Sequence, residues 1–126
     1  MYRVQVRRHF DAAHAVRNYH GKCENLHGHR YEVVVAVDRD ALDEAGMAYD
    51  FTALKRELDA LLDRFDHHNL NETAPFDVLS PSAENIARII YEELDARLPG
   101  IGLKFVEAWE SPDSWATIAR SPSDRR

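Results

Sequence analysis

The chain has 126 residues and a formal net charge of −6 at neutral pH, with 44% hydrophobic and 30% charged residues. That length suits one domain with one core; the composition excludes a disordered chain, and the negative sign excludes the basic face of a nucleic-acid binder. The longest apolar run, Val33 to Val37, is far too short for a membrane span, the first residues lack a signal peptide's apolar core, and one cysteine cannot form an internal disulfide, so a cytoplasmic location is expected.

From Tyr2 to Arg8, Tyr2, Val4 and Val6 alternate with Arg3, Gln5 and Arg7, the period of a strand with one wet face. Tyr31, Val33, Val35 and Val37 repeat the pattern in a second strand over 30–38, with His27 and His29 at its entrance. A polar turn over 38–46 returns through a short extended piece at 47–51. Leu54, Leu58, Leu61, Leu62 and Phe65 then mark one stripe of a helix over 52–65, with Asp50 or Thr52 as N-cap. Residues 69–82 read as loop. Ile86, Ile89, Ile90, Leu94 and Leu98 define a second helix over 82–98, capped by Ser80 or Ser82 and stopped by Pro99 and Gly100.

Two further strands are expected over 103–110 and 115–119, joined by a turn. The order β-β-α-α-β-β predicts a two-layer α+β domain over 1–120, an antiparallel four-stranded sheet carrying two helices, with 121–126 a frayed tail. Four short strands leave open edges, which favours homo-oligomerisation.

The chemistry gathers around "CENLHGH" at 23–29. Alternate residues of an extended chain point the same way, so His27 and His29 can aim both rings at one point, with Gly28 leaving room for close approach. His14 is a third candidate if the first two strands pair, and His9 and His20 lie close enough in sequence to compete. Three neutral imidazoles with an open fourth position describe a catalytic zinc site. Cys23 sits among Lys22, Glu24 and Asn25, a polar setting unlike that of a core cysteine, and a nearby cation lowers a thiol's pKa toward that of a useful base, nucleophile or ligand. Arg17, Lys22 and Arg30 could add a local basic patch for a small anionic substrate. In "DHHNLN", Asp66 precedes His67, a pairing that can orient a base near neutral pH, although histidines also suit helix ends for dipolar reasons.

Together "FDAAH", "CENLHGH", "DHHNLN" and "WESPDS" resemble, in type, order and spacing from Phe10 to Ile118, the 6-pyruvoyl-tetrahydropterin synthase family. The three residues between Cys23 and His27 are similar to its bacterial carboxy-forming branch, the 6-carboxy-5,6,7,8-tetrahydropterin synthases. The resemblance implies a T-fold, zinc bound by His14, His27 and His29, Cys23 as the proton-abstracting thiolate, Asp66 and His67 as its partner pair, and Glu110 as the carboxylate anchoring a pterin ring. It implies 7,8-dihydroneopterin triphosphate as substrate, acetaldehyde and triphosphate as released products, and a place on the route to 7-deazaguanines such as queuosine. It further implies trimers stacked into hexamers with active sites between subunits. Ala83 stands where relatives often carry a hydroxyl near the pterin. Three rival readings use the same residues: a pyruvoyl-forming synthase that eliminates triphosphate without carbon–carbon cleavage, a non-catalytic pterin-binding module, and a zinc hydrolase.

Overall fold

The computed structural model describes residues 1–16 and 25–121; Cys23, Arg17, His20 and Lys22 lie outside the described residues. The chain order is β1 (Tyr2–His14), β2 (His27–Arg39), α1 (Phe51–Leu62), β3 (His68–Asn69), a 3-10 turn (Leu70–Glu72), α2 (Ala83–Arg97), β4 (Leu103–Ser111) and β5 (Ser114–Ala119). Both leading strands exceed the sequence expectation. Alternation in β1 continues past Arg8 through the buried residues Phe10, Ala12 and His14, so the strand reaches the histidine itself.

The sheet runs β3-β1-β2-β4-β5. Its four long strands are antiparallel neighbours, as expected, while the two-residue β3 adds a fifth strand parallel to β1, pairing His68 with Ala12 and Asn69 with Ala13. Nothing in so short a segment carries a strand period, which is why the sequence reads there as a helix end and loop. The piece at 47–51 forms no strand.

Helices α1 and α2 cover one face. Asp50 caps α1 by accepting from the Thr52 N–H, and Ser82 caps α2 by accepting from the Asn85 N–H, so the two pairs of candidate caps each resolve to one residue. Between the layers lies a continuous core in which Phe10, Tyr31, Val33, Val35, Leu54, Leu58, Phe65, Ile86, Ile90 and Val106 have no solvent exposure. Phe10 stacks on Tyr31 at a centroid distance of 5.0 Å, and Phe65 tilts against Phe10 at 6.1 Å. At the margin of the layers Arg8 reaches from β1 to Asp59 of α1 through bonds of 2.7 and 2.6 Å. No helix among the described residues is long and apolar enough to cross a membrane.

Leu58 is fully enclosed. Leu58→Ala is expected to destabilise the folded chain by about 2–5 kcal/mol through lost burial and a residual cavity, measured as a lower denaturation midpoint in urea.

Candidate functional site

The β1–β2 register builds the site. His14 pairs with His27 and Ala12 with His29, so all three rings project from the helix-facing side of the sheet, at the end of the ladder where Phe10 and Tyr31 close the core beneath them. Ring centroids lie 4.5 Å apart for His14 and His27, 4.6 Å for His27 and His29, and 5.1 Å for His14 and His29. One nitrogen from each lies within 4.8 Å of the others.

Tautomers follow from the partners. His14 Nδ1 lies 2.7 Å from the Pro81 carbonyl, and His27 Nδ1 lies 2.6 Å from the Asn25 carbonyl. A carbonyl only accepts, so both Nδ1 atoms carry hydrogen and donate, which in the neutral rings leaves a lone pair on each Nε2. Those two Nε2 atoms face each other at 3.0 Å. Two lone pairs at that distance repel unless a cation is shared between them. A proton could bridge two nitrogens, yet a third, His29 Nε2, is also buried and has no hydrogen-bond partner among the described residues. The donor set therefore fits a metal ion: three imidazole nitrogens, two with the outer-shell hydrogen bonds that fix a ligating ring.

Burial holds the His14 imidazole below its usual pKa, with the Pro81 carbonyl and Glu110 opposing the shift. His29 is lowered for the same principal reason, again opposed by Glu110. Both rings thus stay neutral, and able to ligate, further into the acid range than a free imidazole.

Glu110 enters from β4, its Oε1 lying 3.8 Å from His14 Nε2. It also lines a cavity of about 370 Å³ with Ser82, Ala83 and Glu84 at the start of α2 and Trp115 and Ala116 of β5. That hollow adjoins the histidines and offers an acceptor-only carboxylate beside a helix start.

Asp66 and His67 lie elsewhere. Asp66 Oδ1 accepts from the Asp11 N–H at 2.9 Å and lies 3.0 Å from His67 Nδ1. These two bonds, led by that of the Asp11 N–H, hold the Asp66 carboxyl below its usual pKa. The His67 N–H donates to the Asp11 carbonyl at 2.6 Å, and His67 adopts φ +60°, a left-handed turn that swings the chain out of α1 to pair with β1. Asp11 and Arg30 belong to the opposite face of β1 and β2 from His14 and His29, and their carboxylate and guanidinium bond at 2.9 and 3.2 Å. The pair at the β1 edge thus opens toward the face that carries this ion pair, not into the histidine cluster.

Of the sequence candidates, the structure brings together His14, His27, His29 and Glu110, sets Asp66 and His67 apart, and leaves His9 exposed on the outer face. Sequence reasoning missed the Pro81 and Asn25 carbonyls and the Asp11–Arg30 pair. Backbone acceptors have no residue signature, and Asp11 and Arg30 show their relation only once the register is known.

The chain is similar over residues 3–121 to the family described as 6-pyruvoyl tetrahydropterin synthase. It is 40% identical over 98 residues, 73% of this chain and 74% of the relative, to a 6-carboxy-5,6,7,8-tetrahydropterin synthase of Synechocystis. It is 38% identical over 109 residues, 86% of this chain and 89% of the relative, to a dihydroneopterin monophosphate aldolase of Pyrococcus furiosus. Its fold matches the structure of the 6-pyruvoyl tetrahydropterin synthase of Caenorhabditis elegans with a TM-score of 0.81 and 31% identity, covering 96% of this chain and 98% of that one. A pterin-synthase T-fold with a histidine cluster is thus the class. The chain belongs to the 6-pyruvoyl tetrahydropterin synthase family.

The purified protein is expected to take up one divalent transition-metal ion per chain in equilibrium dialysis. His29→Ala should weaken that uptake by at least the roughly 100-fold that follows loss of an outer-shell partner elsewhere. For the metal-free protein the sign of the pH effect is fixed by the lowered imidazoles: the unfolded chain binds more protons, so stability falls as pH drops below about 6.5. Thermal denaturation of chelator-treated protein at stepped pH reads this out.

Proposed function

We propose that the protein is a zinc-dependent 6-carboxytetrahydropterin synthase. It converts 7,8-dihydroneopterin triphosphate and water to 6-carboxy-5,6,7,8-tetrahydropterin, acetaldehyde and triphosphate, on the route to 7-deazaguanines. The observation that carries this reading is the set of three converging imidazole nitrogens with a carboxylate-lined hollow beside them. His14, His27 and His29 would hold the metal, which when bound supplies a Lewis acid that polarises side-chain oxygens and acidifies the neighbouring C–H.

The chain's own residues do the rest. Glu110 accepts hydrogen bonds from the pterin N–H groups in the hollow at the start of α2 and fixes which carbon of the side chain meets the histidines. Cys23, four residues before His27 in the sequence, takes the proton from that carbon. Asp66 orients His67 through the 3.0 Å contact, and the imidazole moves protons along the side chain as the triphosphate leaves and the carbon–carbon bond breaks. Because this pair opens toward the other face of the sheet, it serves the site of a neighbouring subunit in a homo-oligomer built from trimers. The relatives named for a pyruvoyl synthase and for an aldolase share the scaffold, so the product decides the branch.

Incubation of the protein with 7,8-dihydroneopterin triphosphate, followed by mass analysis, should yield the carboxylated pterin and acetaldehyde; a pyruvoyl product assigns the rival reaction. Cys23→Ala should keep its zinc and lose at least about 100-fold in turnover, the lower range for a positioned acid or base. Oligomers reassembled from equal amounts of inactive Cys23→Ala and His67→Ala chains should regain about a quarter of wild-type activity, since random mixing leaves that share of two-chain sites intact. No recovery would place both residues of each site on one chain.

A further inference from the structure

The end of the sheet remote from the histidines carries a second concentration of charge. β1 begins there, β2 and β5 end there, and the loop from α2 enters β4 there, so that Arg3, Asp38, Arg39, Asp40, Gly102, Lys104 and Arg120 line a cavity of about 460 Å³. The eleven residues from Arg3 to His14 put this cavity roughly 35 Å from the metal centre, at about 3.3 Å per strand residue.

Its cations are unequally compensated. Arg3 is satisfied: its guanidinium makes bonds of 2.7 and 2.9 Å to the two Asp38 oxygens and lies over the Phe105 ring. Arg39, Lys104 and Arg120 make no side-chain ion pair among the described residues, and the one remaining carboxylate lining the cavity, that of Asp40, makes none either. All three cations are half-buried rather than free in solvent. The Arg39 guanidinium lies over the Tyr49 ring at 5.7 Å, and its Nε is shielded from water with no acceptor among the described residues. Arg120 is held by β5, whose last backbone bond runs from the Arg120 N–H to the Lys104 carbonyl. Its guanidinium lies against Gly102: a Cβ there would sit 3.4 Å from it, an ordinary contact with a flexible side chain, while the φ of +73° is what favours glycine at that position. The field of the cluster reaches Asp38, whose carboxyl is held below its usual pKa by the Arg3 bond first and by Lys104 and Arg120 in addition. In a chain of net charge −6, three half-buried cations facing one hollow with a single free carboxylate between them are not explained by folding.

We propose that this cavity is an anion site for linked phosphates, of which inorganic triphosphate is the simplest ligand. Three cations spread around a hollow much larger than one phosphate match a chain of phosphates better than a single oxyanion, and two guanidinium groups supply the forked donors that phosphate oxygens accept. The site does not rest on the reaction proposed above.

Isothermal titration of inorganic triphosphate into the metal-loaded full-length protein at low ionic strength tests it. Saturable binding at one site per chain is expected. Lys104→Gln and Arg120→Gln should each weaken it by roughly tenfold, the ratio given by one charge-assisted hydrogen bond, while Arg120→Lys should keep most of it. Both positions are at the surface of the fold, so these variants are expected to stay folded, which their urea midpoints will verify. GTP run in parallel identifies the source: tighter binding than triphosphate that the double variant loses makes a nucleotide the ligand of the same site. Absence of saturable binding overturns the proposal. So does affinity that the double variant retains, which would locate the anion at the metal centre, and so does orthophosphate binding as tightly as triphosphate.

Discussion

The register between β1 and β2 is the constraint on which the rest depends. Thirteen residues of one strand face thirteen of the other, from Tyr2 opposite Arg39 to His14 opposite His27. Because side chains alternate, a slip of β1 by one residue would send Phe10 and His14 to the face of the sheet opposite Tyr31, His27 and His29. The stacked pair Phe10 and Tyr31 locks the register from inside the core, and the Arg3–Asp38, Arg7–Glu32 and Arg30–Asp11 ion pairs span it on the outer face. Those exposed pairs add little energy individually, but all three read the same alignment, so local and global preferences agree.

A consequence is that the histidine cluster is made by the fold and also strains it. Burial keeps His14 and His29 neutral, while the Pro81 and Asn25 carbonyls claim the Nδ1 hydrogens and turn bare nitrogens toward each other. In the absence of a cation, such a cluster is a concentration of unsatisfied lone pairs in a part of the molecule where unsatisfied polar atoms are costly. A divalent ion held among the three nitrogens would remove that cost, so binding and folding stability are coupled at this point.

How much was legible in the sequence follows the period of each signal. The helices and long strands have apolar stripes or alternations of six residues or more, and these were readable, including the caps Asp50 and Ser82 as one of two choices each. The His-Gly-His spacing gave two convergent rings, and His14 joined them only on the assumption that the first two strands pair, which they do. What could not be read was set by backbone groups and by register: the two-residue β3, the carbonyls that orient His14 and His27, and the fact that Asp66 and His67 are clasped by the backbone of Asp11 instead of entering the histidine cluster. A dipeptide such as Asp-His has no directional information until the left-handed turn at His67 is known.

The Pro81 contact also ties the helical layer to the centre. Pro81 immediately precedes Ser82, whose side chain caps α2, and the Asn85 side chain returns to the Ser80 carbonyl, so the backbone on either side of Pro81 is held by the first turn of the helix. The apolar stripe of α2, with Ile86, Ile90 and Leu94 fully enclosed, fixes that turn against the sheet. The tautomer of a histidine in β1 is therefore decided by the packing of a helix nearly seventy residues away in sequence. The same first turn lines the hollow that Glu110 enters. One helix start thus sets both the ligand geometry of His14 and one wall of the adjoining cavity, and any shift of α2 must change the two together.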